Sequence, residues 1–183
     1  MMINFTLIQK IRNKIRIEKS SKIQLGKNIK LVGCKITIKG KNNRLEIESG
    51  VKIHRSTIEI KGNNCLVKIG KNSMIGDNCY LVNKENDIHL IIGEDCGLSR
   101  NVKVMTSDGH SIFQNNIRIN HAQNIVLGDN IWIADNVTIL KGVEIGSETV
   151  VGINSVVTKS VSSHTIVAGN PARVIKEGIT WKP

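Results

Sequence analysis

The sequence predicts an all-β fold, a parallel β-helix of hexapeptide repeats with one long external loop. The first observation is a period of six, because large aliphatic residues open successive six-residue blocks without a slip. These residues are Leu127, Ile133, Ile139, Ile145, Val151 and Val157. A helix face repeats every 3.6 residues and a strand face every 2, so neither explains this period. A solenoid does, because each block supplies one short strand and one turn of a coil.

The composition is the second observation. Aromatic residues make up only 3% of the 183 residues, whereas 16 glycines and two prolines are available for tight turns. The four cysteines show no CxxC pair and no metal-ligand spacing, so we expect buried thiols and no metal. They are Cys34, Cys65, Cys79 and Cys96. No apolar run is long enough to span a membrane and no secretory signal is recognisable, so we expect a cytoplasmic protein.

The repeat divides the chain into three parts. In residues 1–22 an aliphatic face at helical spacing predicts an amphipathic helix that caps the solenoid, and contact of its basic side with a membrane surface is the alternative. That face consists of Ile3, Leu7, Ile8, Ile11 and Ile15. Residues 23–168 are predicted to form the β-helix, with an irregular repeat up to Ile60. Residues 169–183 are a C-terminal tail, and we expect short helical segments at both termini.

One segment, residues 105–124, interrupts the regular repeat with the sequence MTSDGHSIFQNNIRINHAQN. Because the repeat continues on both sides, the insertion is predicted to be a loop on the outside of the solenoid. External loops on a rigid frame often carry function. The loop contains His110 and His121, two of the five histidines, although an ordinary polar role would explain either of them.

The net charge of +11 arises from 26 basic and 15 acidic residues. Such a surface attracts polyanions. The basic residues are not interleaved with aromatic residues that could stack on bases, so nucleic acid is not expected as a partner. Phosphorylated cofactors and acidic polysaccharides fit the charge better.

Four segments together resemble the hexapeptide-repeat acetyltransferases, in particular the sugar and capsular polysaccharide O-acetyltransferases, including polysialic acid, galactoside and maltose acetyltransferases. The segments are SDGHSIF at 107–113, residues 119–146, VVGINSVVTKSV at 150–161 and AGNPARVIKE at 168–177. The resemblance implies a left-handed β-helix, although parallel crossovers are generally right-handed. It also implies a homotrimer with acetyl-coenzyme A bound between two solenoids.

The same resemblance implies roles for residues near the acyl group. His110 matches the catalytic histidine, and an imidazole is a suitable general base near neutral pH. Trp132 is expected beside the acyl group or acceptor sugar, with a trimer contact as the alternative. A backbone N–H near Ala134, where relatives have glycine, is the expected oxyanion donor. Asn83 and Asp108 are expected to bind the acceptor.

The resemblance further implies a binding site for coenzyme A at the C-terminal end. Thr158 and Lys159 correspond to a Thr-Lys pair on the last coil, and Arg173 and Lys176 to basic residues after Asn-Pro-Ala. Cations suit the phosphates of the cofactor. Without the resemblance, each of these basic residues would be explained equally well as an ordinary solvent-exposed side chain.

The predicted function is therefore acetyl-coenzyme A-dependent O-acetylation of a saccharide, such as a capsular or cell-surface polysaccharide or its precursor. The loop histidine would act as general base in a direct transfer, and the net charge favours an acidic acceptor. N-acetylation of an amino sugar nucleotide and a non-catalytic β-helix that binds a partner are the alternatives.

Overall fold

A computed structural model describes residues 12–182, which form a three-sided parallel β-solenoid. Each coil adds one strand to each of three sheets, here called A, B and C in the order in which the chain passes through them. Sheet A contains β1 (Lys14–Ile17), β4 (Lys35–Lys39), β7 (Thr57–Lys61), β10 (Tyr80–Lys84), β13 (Lys103–Met105), β18 (Thr138–Ile139) and β21 (Val156–Val157). Sheet B contains β2 (Lys22–Leu25), β5 (Arg44–Ile47), β8 (Leu66–Ile69), β11 (His89–Ile92), β16 (Ile125–Leu127) and β19 (Glu144–Ile145).

Sheet C has the most strands of the three and includes the C-terminal hairpin. It contains β3 (Lys30–Val32), β6 (Lys52–His54), β9 (Met74–Ile75), β12 (Gly97–Leu98), β17 (Trp132–Ile133), β20 (Val150–Val151), β22 (Thr165–Gly169) and β23 (Ala172–Glu177). Neighbouring strands are parallel except β22 and β23, which pair antiparallel. A separate two-stranded hairpin, β14 (Phe113–Gln114) and β15 (Ile117–Arg118), lies in the external loop.

The six residues that set the period of six all point into the solenoid, with at most 2% of each exposed. Stacked Ile, Leu and Val side chains from all three sheets fill this interior. Complete burial of each such side chain contributes about 1.5–3 kcal/mol. The four cysteines are buried and free, as predicted. Burial raises the pKa of the Cys96 thiol to about 11.

The irregular repeat of the N-terminal coils results from longer strands. In the regular part Thr138 pairs with Val156, so one coil uses 18 residues, or three hexapeptides. Lys35 pairs with Thr57 and Thr57 with Tyr80, so these coils use 22 and 23 residues. Their strands in sheets A and B have four or five residues instead of two, and this difference breaks the count of six.

The boundaries of the solenoid differ from the predicted ones. Among the described residues the solenoid already includes β1 at Lys14, before the predicted boundary at residue 23, and Ile15 of the predicted helix lies in β1, paired with Ile36. The other residues of that aliphatic face lie outside the described residues: Ile3, Leu7, Ile8 and Ile11. The C-terminal tail forms strand β23 instead of a helical segment. None of the helices in residues 12–182 has the length and apolar character needed to cross a membrane.

Candidate active site

The external loop leaves sheet A after β13 and enters sheet B at β16, so it lies at the corner between these two sheets, the A–B corner. Its hairpin turns at Asn115 and Asn116, whose φ angles of 50° and 61° are both left-handed. Asparagine tolerates this conformation, which is that of a two-residue type I′ turn. The local sequence QNNI therefore determines the hairpin.

Asn120 holds the base of this loop together. Only 7% of it is exposed. Its Oδ1 accepts the N–H of Ile112 at 2.6 Å, and its Nδ2 donates to Asp108 Oδ2 at 2.8 Å and to the carbonyl oxygen of His110 at 2.7 Å. One buried side chain thus holds the backbone at His110 and Ile112 and the side chain of Asp108.

Two ion pairs attach the loop to the coils on either side of it. Lys141 Nζ lies 2.5 Å from Asp108 Oδ2, and Arg118 pairs with Glu85. The hydrogen bond from Lys141, with a further one from Asn120, lowers the pKa of Asp108. Asp108 therefore orients the loop, and its contact with an acceptor stays a prediction.

We expect Asn120→Ala to leave buried partners unsatisfied, at a cost of about 1–3 kcal/mol, and to release the backbone of His110. Turnover in an acetyl-transfer assay should fall by about tenfold, because the loop no longer holds its geometry. Proteolysis within residues 105–124 should become faster, whereas coenzyme A affinity measured by calorimetry should not change. Gln114→Ala, on the exposed hairpin, is the matched control, and normal turnover in Asn120→Ala would contradict this role.

His110 is accessible. Its side chain is exposed, and its imidazole has no hydrogen-bond partner among the described residues. Gly109, which precedes it with φ +84°, has open space where a Cβ would lie. The imidazole can therefore reach a group that approaches from outside the solenoid.

Trp132 lies on the outer surface of sheet C and is 43% exposed. Its Nε1 donates to Ser99 Oγ at 3.2 Å, and its ring packs against that of Trp181 with centroids 5.9 Å apart. Trp181 comes from the C-terminal tail. The two rings border a groove of about 610 Å³ that also exposes Met74 and His54.

The structure does not support two of the predicted roles. Asn83 is completely buried, and its Nδ2 donates to the carbonyl oxygens of Leu66 and Ile88 at 2.9 and 2.8 Å, so its side chain faces the interior rather than an acceptor. The N–H of Ala134 donates to the carbonyl oxygen of Val151 at 3.0 Å. The sheet already uses this N–H, so it is not free to bind an oxyanion.

The predicted cofactor residues lie at the C-terminal end of the solenoid. Lys159 and Arg173 line one cavity of about 310 Å³, which brings together two cations that are 14 positions apart in the sequence. Thr158 is exposed directly before Lys159, and Lys176 is exposed on β23 opposite Ile166. In residues 12–182 no group of three or more potential metal ligands is arranged to hold a metal ion.

The structure separates His110 from Trp132 within one chain. His110 lies at the A–B corner, where Glu85 and Lys141 anchor its loop, whereas Trp132 lies on sheet C. In a three-sided solenoid this corner is opposite sheet C. The expected partners in catalysis can therefore meet only if they come from different copies of the chain.

Sequence reasoning missed Trp181 and Asn120. Trp181 is one of only two tryptophans in the chain, and its rarity is the signal that could have identified it. Nothing in the sequence marks Asn120, because the loop contains several other asparagines. Its importance depends on burial, which becomes visible only in the folded loop.

Comparison with known proteins gives a consistent result, although no protein-family model matches the chain. A polysialic acid O-acetyltransferase of Escherichia coli O1:K1 is 38% identical over 138 residues, which cover 72% of this chain and 44% of that protein. The chain spans about half the length of the curated relatives it matches.

Solved structures share the architecture. The crystal structure of the polySia-specific acetyltransferase NeuO has a TM-score of 0.77 at 32% identity, covering 95% of this chain and 90% of that one. A galactoside acetyltransferase in complex with coenzyme A has a TM-score of 0.52 at 25% identity, covering 70% and 65%. The predicted left-handed β-helix is thereby confirmed.

Proposed function

The chain belongs to the hexapeptide-repeat acetyltransferases, and we propose that it transfers an acetyl group from acetyl-coenzyme A to a hydroxyl group of a saccharide. The observation that carries the proposal is the accessible imidazole of His110, held at the base of a loop that Asn120 and two ion pairs fix in place. Such an arrangement suits a positioned general base.

In the proposed reaction His110 accepts the proton of the acceptor hydroxyl. The hydroxyl oxygen attacks the thioester carbonyl carbon, the C–S bond breaks, and the imidazolium returns its proton to the departing thiolate of coenzyme A. The transfer is direct, without an acyl-enzyme. The four cysteines are buried, and desolvation raises the pKa of each thiol, so none of them is a competent nucleophile.

The proposed acceptor is an acidic polysaccharide of a capsule or cell surface. Two of the named relatives are polysialic acid acetyltransferases, and the net charge of +11 attracts polyanions. The coenzyme A phosphates are proposed to bind at the C-terminal end, where Lys159 and Arg173 share a cavity. The similar galactoside acetyltransferase was solved with coenzyme A bound.

We propose further that the active form is a homotrimer. His110 and Trp132 lie on different sides of one solenoid, and a site that needs both must form between copies. The loop also exposes large apolar side chains, including Phe113 at 63% and Ile117 at 69%. Contact with a neighbouring copy would bury this apolar surface.

The decisive experiment is an acceptor screen with acetyl-coenzyme A, followed by thiol release and by mass spectrometry of the saccharide. The panel contains oligomers of sialic acid, a neutral polysaccharide and an amino sugar nucleotide. Acetylation of the sialic acid oligomer is the expected result. Acetylation of the amino sugar alone would favour N-acetyl transfer, and the absence of both coenzyme A binding and transfer would indicate a non-catalytic module.

We expect Arg173→Ala to weaken the binding of coenzyme A by about tenfold or more, because a charge-assisted hydrogen bond to a phosphate contributes about 1.5–3 kcal/mol. Calorimetry with coenzyme A measures the change. The loss should be smaller for coenzyme A that lacks its 3′-phosphate if Arg173 binds that group. Arg44→Ala, on the distant sheet B, serves as the control, and equal affinities in all three proteins would refute the assignment.

A further inference from the structure

A notch interrupts the row of side chains on the outside of sheet C. In the parallel register Met74 pairs with Gly97 and Gly97 with Trp132, so these residues occupy adjacent strands of one row. Met74 and Trp132 are large and exposed at 52% and 43%, whereas Gly97 between them has no side chain. Strands are about 4.8 Å apart, so the notch is roughly 10 Å wide between its apolar walls.

Trp181 covers this notch. Its Cη2 atom is the heavy atom nearest to where a Cβ of Gly97 would lie, at 4.0 Å. Its Nε1 donates to the carbonyl oxygen of Asn130 at 2.7 Å, and its own carbonyl oxygen accepts Asn130 Nδ2 at 3.5 Å. The tail before it is attached as well, because the N–H of Ile179 donates to the carbonyl oxygen of His164 at 3.0 Å. Trp181 is therefore a fixed wall of the groove.

Polar groups line one edge of the same groove. Ser99 Oγ lies beside Trp132, and Asp77, Arg100 and Asp135 follow the strands of sheet C. Ion pairs between Arg100 and Asp135, and between Arg55 and Asp77, hold these carboxylates in place at 2.5 Å. An apolar floor and aromatic walls beside a rim of hydrogen-bonding groups match a pyranose ring, which has an apolar C–H face and hydroxyl groups at its edge.

We propose that Trp181 and Gly97, together with Trp132, form a subsite for one pyranose ring of the acceptor saccharide. This inference rests on the proposed function and assigns Trp181 as a residue that determines acceptor specificity. The ring stacks its C–H face on the indoles, while its hydroxyl groups reach Ser99 and the carboxylates of the rim.

The position of the notch in this row of side chains favours the acceptor saccharide over coenzyme A as the ligand that binds there. From Trp132 the row continues through Val150 and Ile166 to Lys176, three strands or about 14 Å towards the C-terminal end. The cations proposed for the phosphates of coenzyme A lie at that end. The notch lies on the opposite side of Trp132, which leaves it to the second substrate.

Intrinsic fluorescence tests this subsite without an activity assay, because both tryptophans of the chain line the groove. Sialic acid oligomers titrated into the protein without coenzyme A should change the emission in a saturable manner, and glucose oligomers serve as the comparison. Trp181→Ala should raise the dissociation constant of the saccharide by about tenfold, and Trp181→Phe by less, because stacking on an aromatic ring is partly retained.

Gly97→Leu provides a second variant, which keeps both tryptophans in the chain but displaces the Trp181 ring, because a Cβ at position 97 would already lie 4.0 Å from Trp181 Cη2. We expect it to abolish the saccharide-dependent emission change, while calorimetry shows unchanged coenzyme A affinity. Ile175→Ala, exposed on β23, is the matched control. Normal saccharide affinity in Trp181→Ala and Gly97→Leu, or no saccharide binding by the wild-type chain, would overturn the subsite. Weakened coenzyme A binding instead would assign the groove to the cofactor.

These outcomes separate the subsite from the proposed function. If the wild-type chain transfers acetyl groups but both groove variants keep their acceptor KM, the subsite is wrong and the function stands. If the wild-type chain binds saccharide in the notch but neither binds coenzyme A nor transfers acetyl groups, the function is wrong and the subsite stands.

Discussion

Replacing His110 by alanine is expected to lower kcat for acetyl transfer by about 10²–10⁴-fold, the range that a positioned general base contributes. The affinity for coenzyme A should be unchanged, because Lys159 and Arg173 lie at the C-terminal end of the solenoid, away from the loop. Initial rates of thiol release, measured at saturating substrates, give kcat, and calorimetry gives the affinity.

His121→Ala is the matched control for this variant. His121 is also exposed and lies in the same loop, but Asn120 does not fix its carbonyl oxygen as it does that of His110. It should keep wild-type turnover. Substantial residual turnover in His110→Ala would refute the general base, and an acetylated protein trapped with acetyl-coenzyme A alone would refute direct transfer.

Mixing two inactive variants is expected to restore activity. If each site takes His110 from one copy and Trp132 from a neighbour, His110→Ala and Trp132→Ala are defective separately and complement each other in mixed oligomers. With random assembly from equal amounts, about one quarter of the sites combine both intact residues. Co-expression of the two variants and a rate measurement test this expectation. Tandem purification on two affinity tags removes the unmixed oligomers, so the intact fraction should rise to about one site in three of a mixed trimer.

The double variant His110→Ala/Trp132→Ala is the control for the mixing experiment. Mixed with an equal amount of wild-type chain, it should lower the activity to about one quarter instead of the half expected for independent copies. If the mixture of single variants has only the summed activities of the two, His110 and Trp132 do not form a shared site.

The direction of its side chain explains why the predicted role of Asn83 does not fit the structure. Asn83 is two residues after Leu81 on β10, and both point into the interior, because side chains alternate along a strand. A shift of one residue in an alignment reverses the predicted face. Ala134 illustrates a different cause, because only the neighbouring coil shows that Val151 already accepts its N–H.

The solenoid and the position of its external loop are predictable from the order of residues. Each coil places large aliphatic residues in the shared core, so the period of six and its interruption at residues 105–124 are visible in the order of residues alone. The strands before residue 23 were less visible, because longer strands obscure the period there.

Which side chains lie close together is visible only in the folded chain. Lys159 and Arg173 line one cavity. Trp181 lies over Gly97 and beside Trp132. His110 lies at the corner opposite sheet C. These relations depend on contacts between distant coils and on the path of the tail across sheet C. The spacing of residues along the chain contains no information about either, because a local pattern specifies a strand and its inward face but not what covers its outer face.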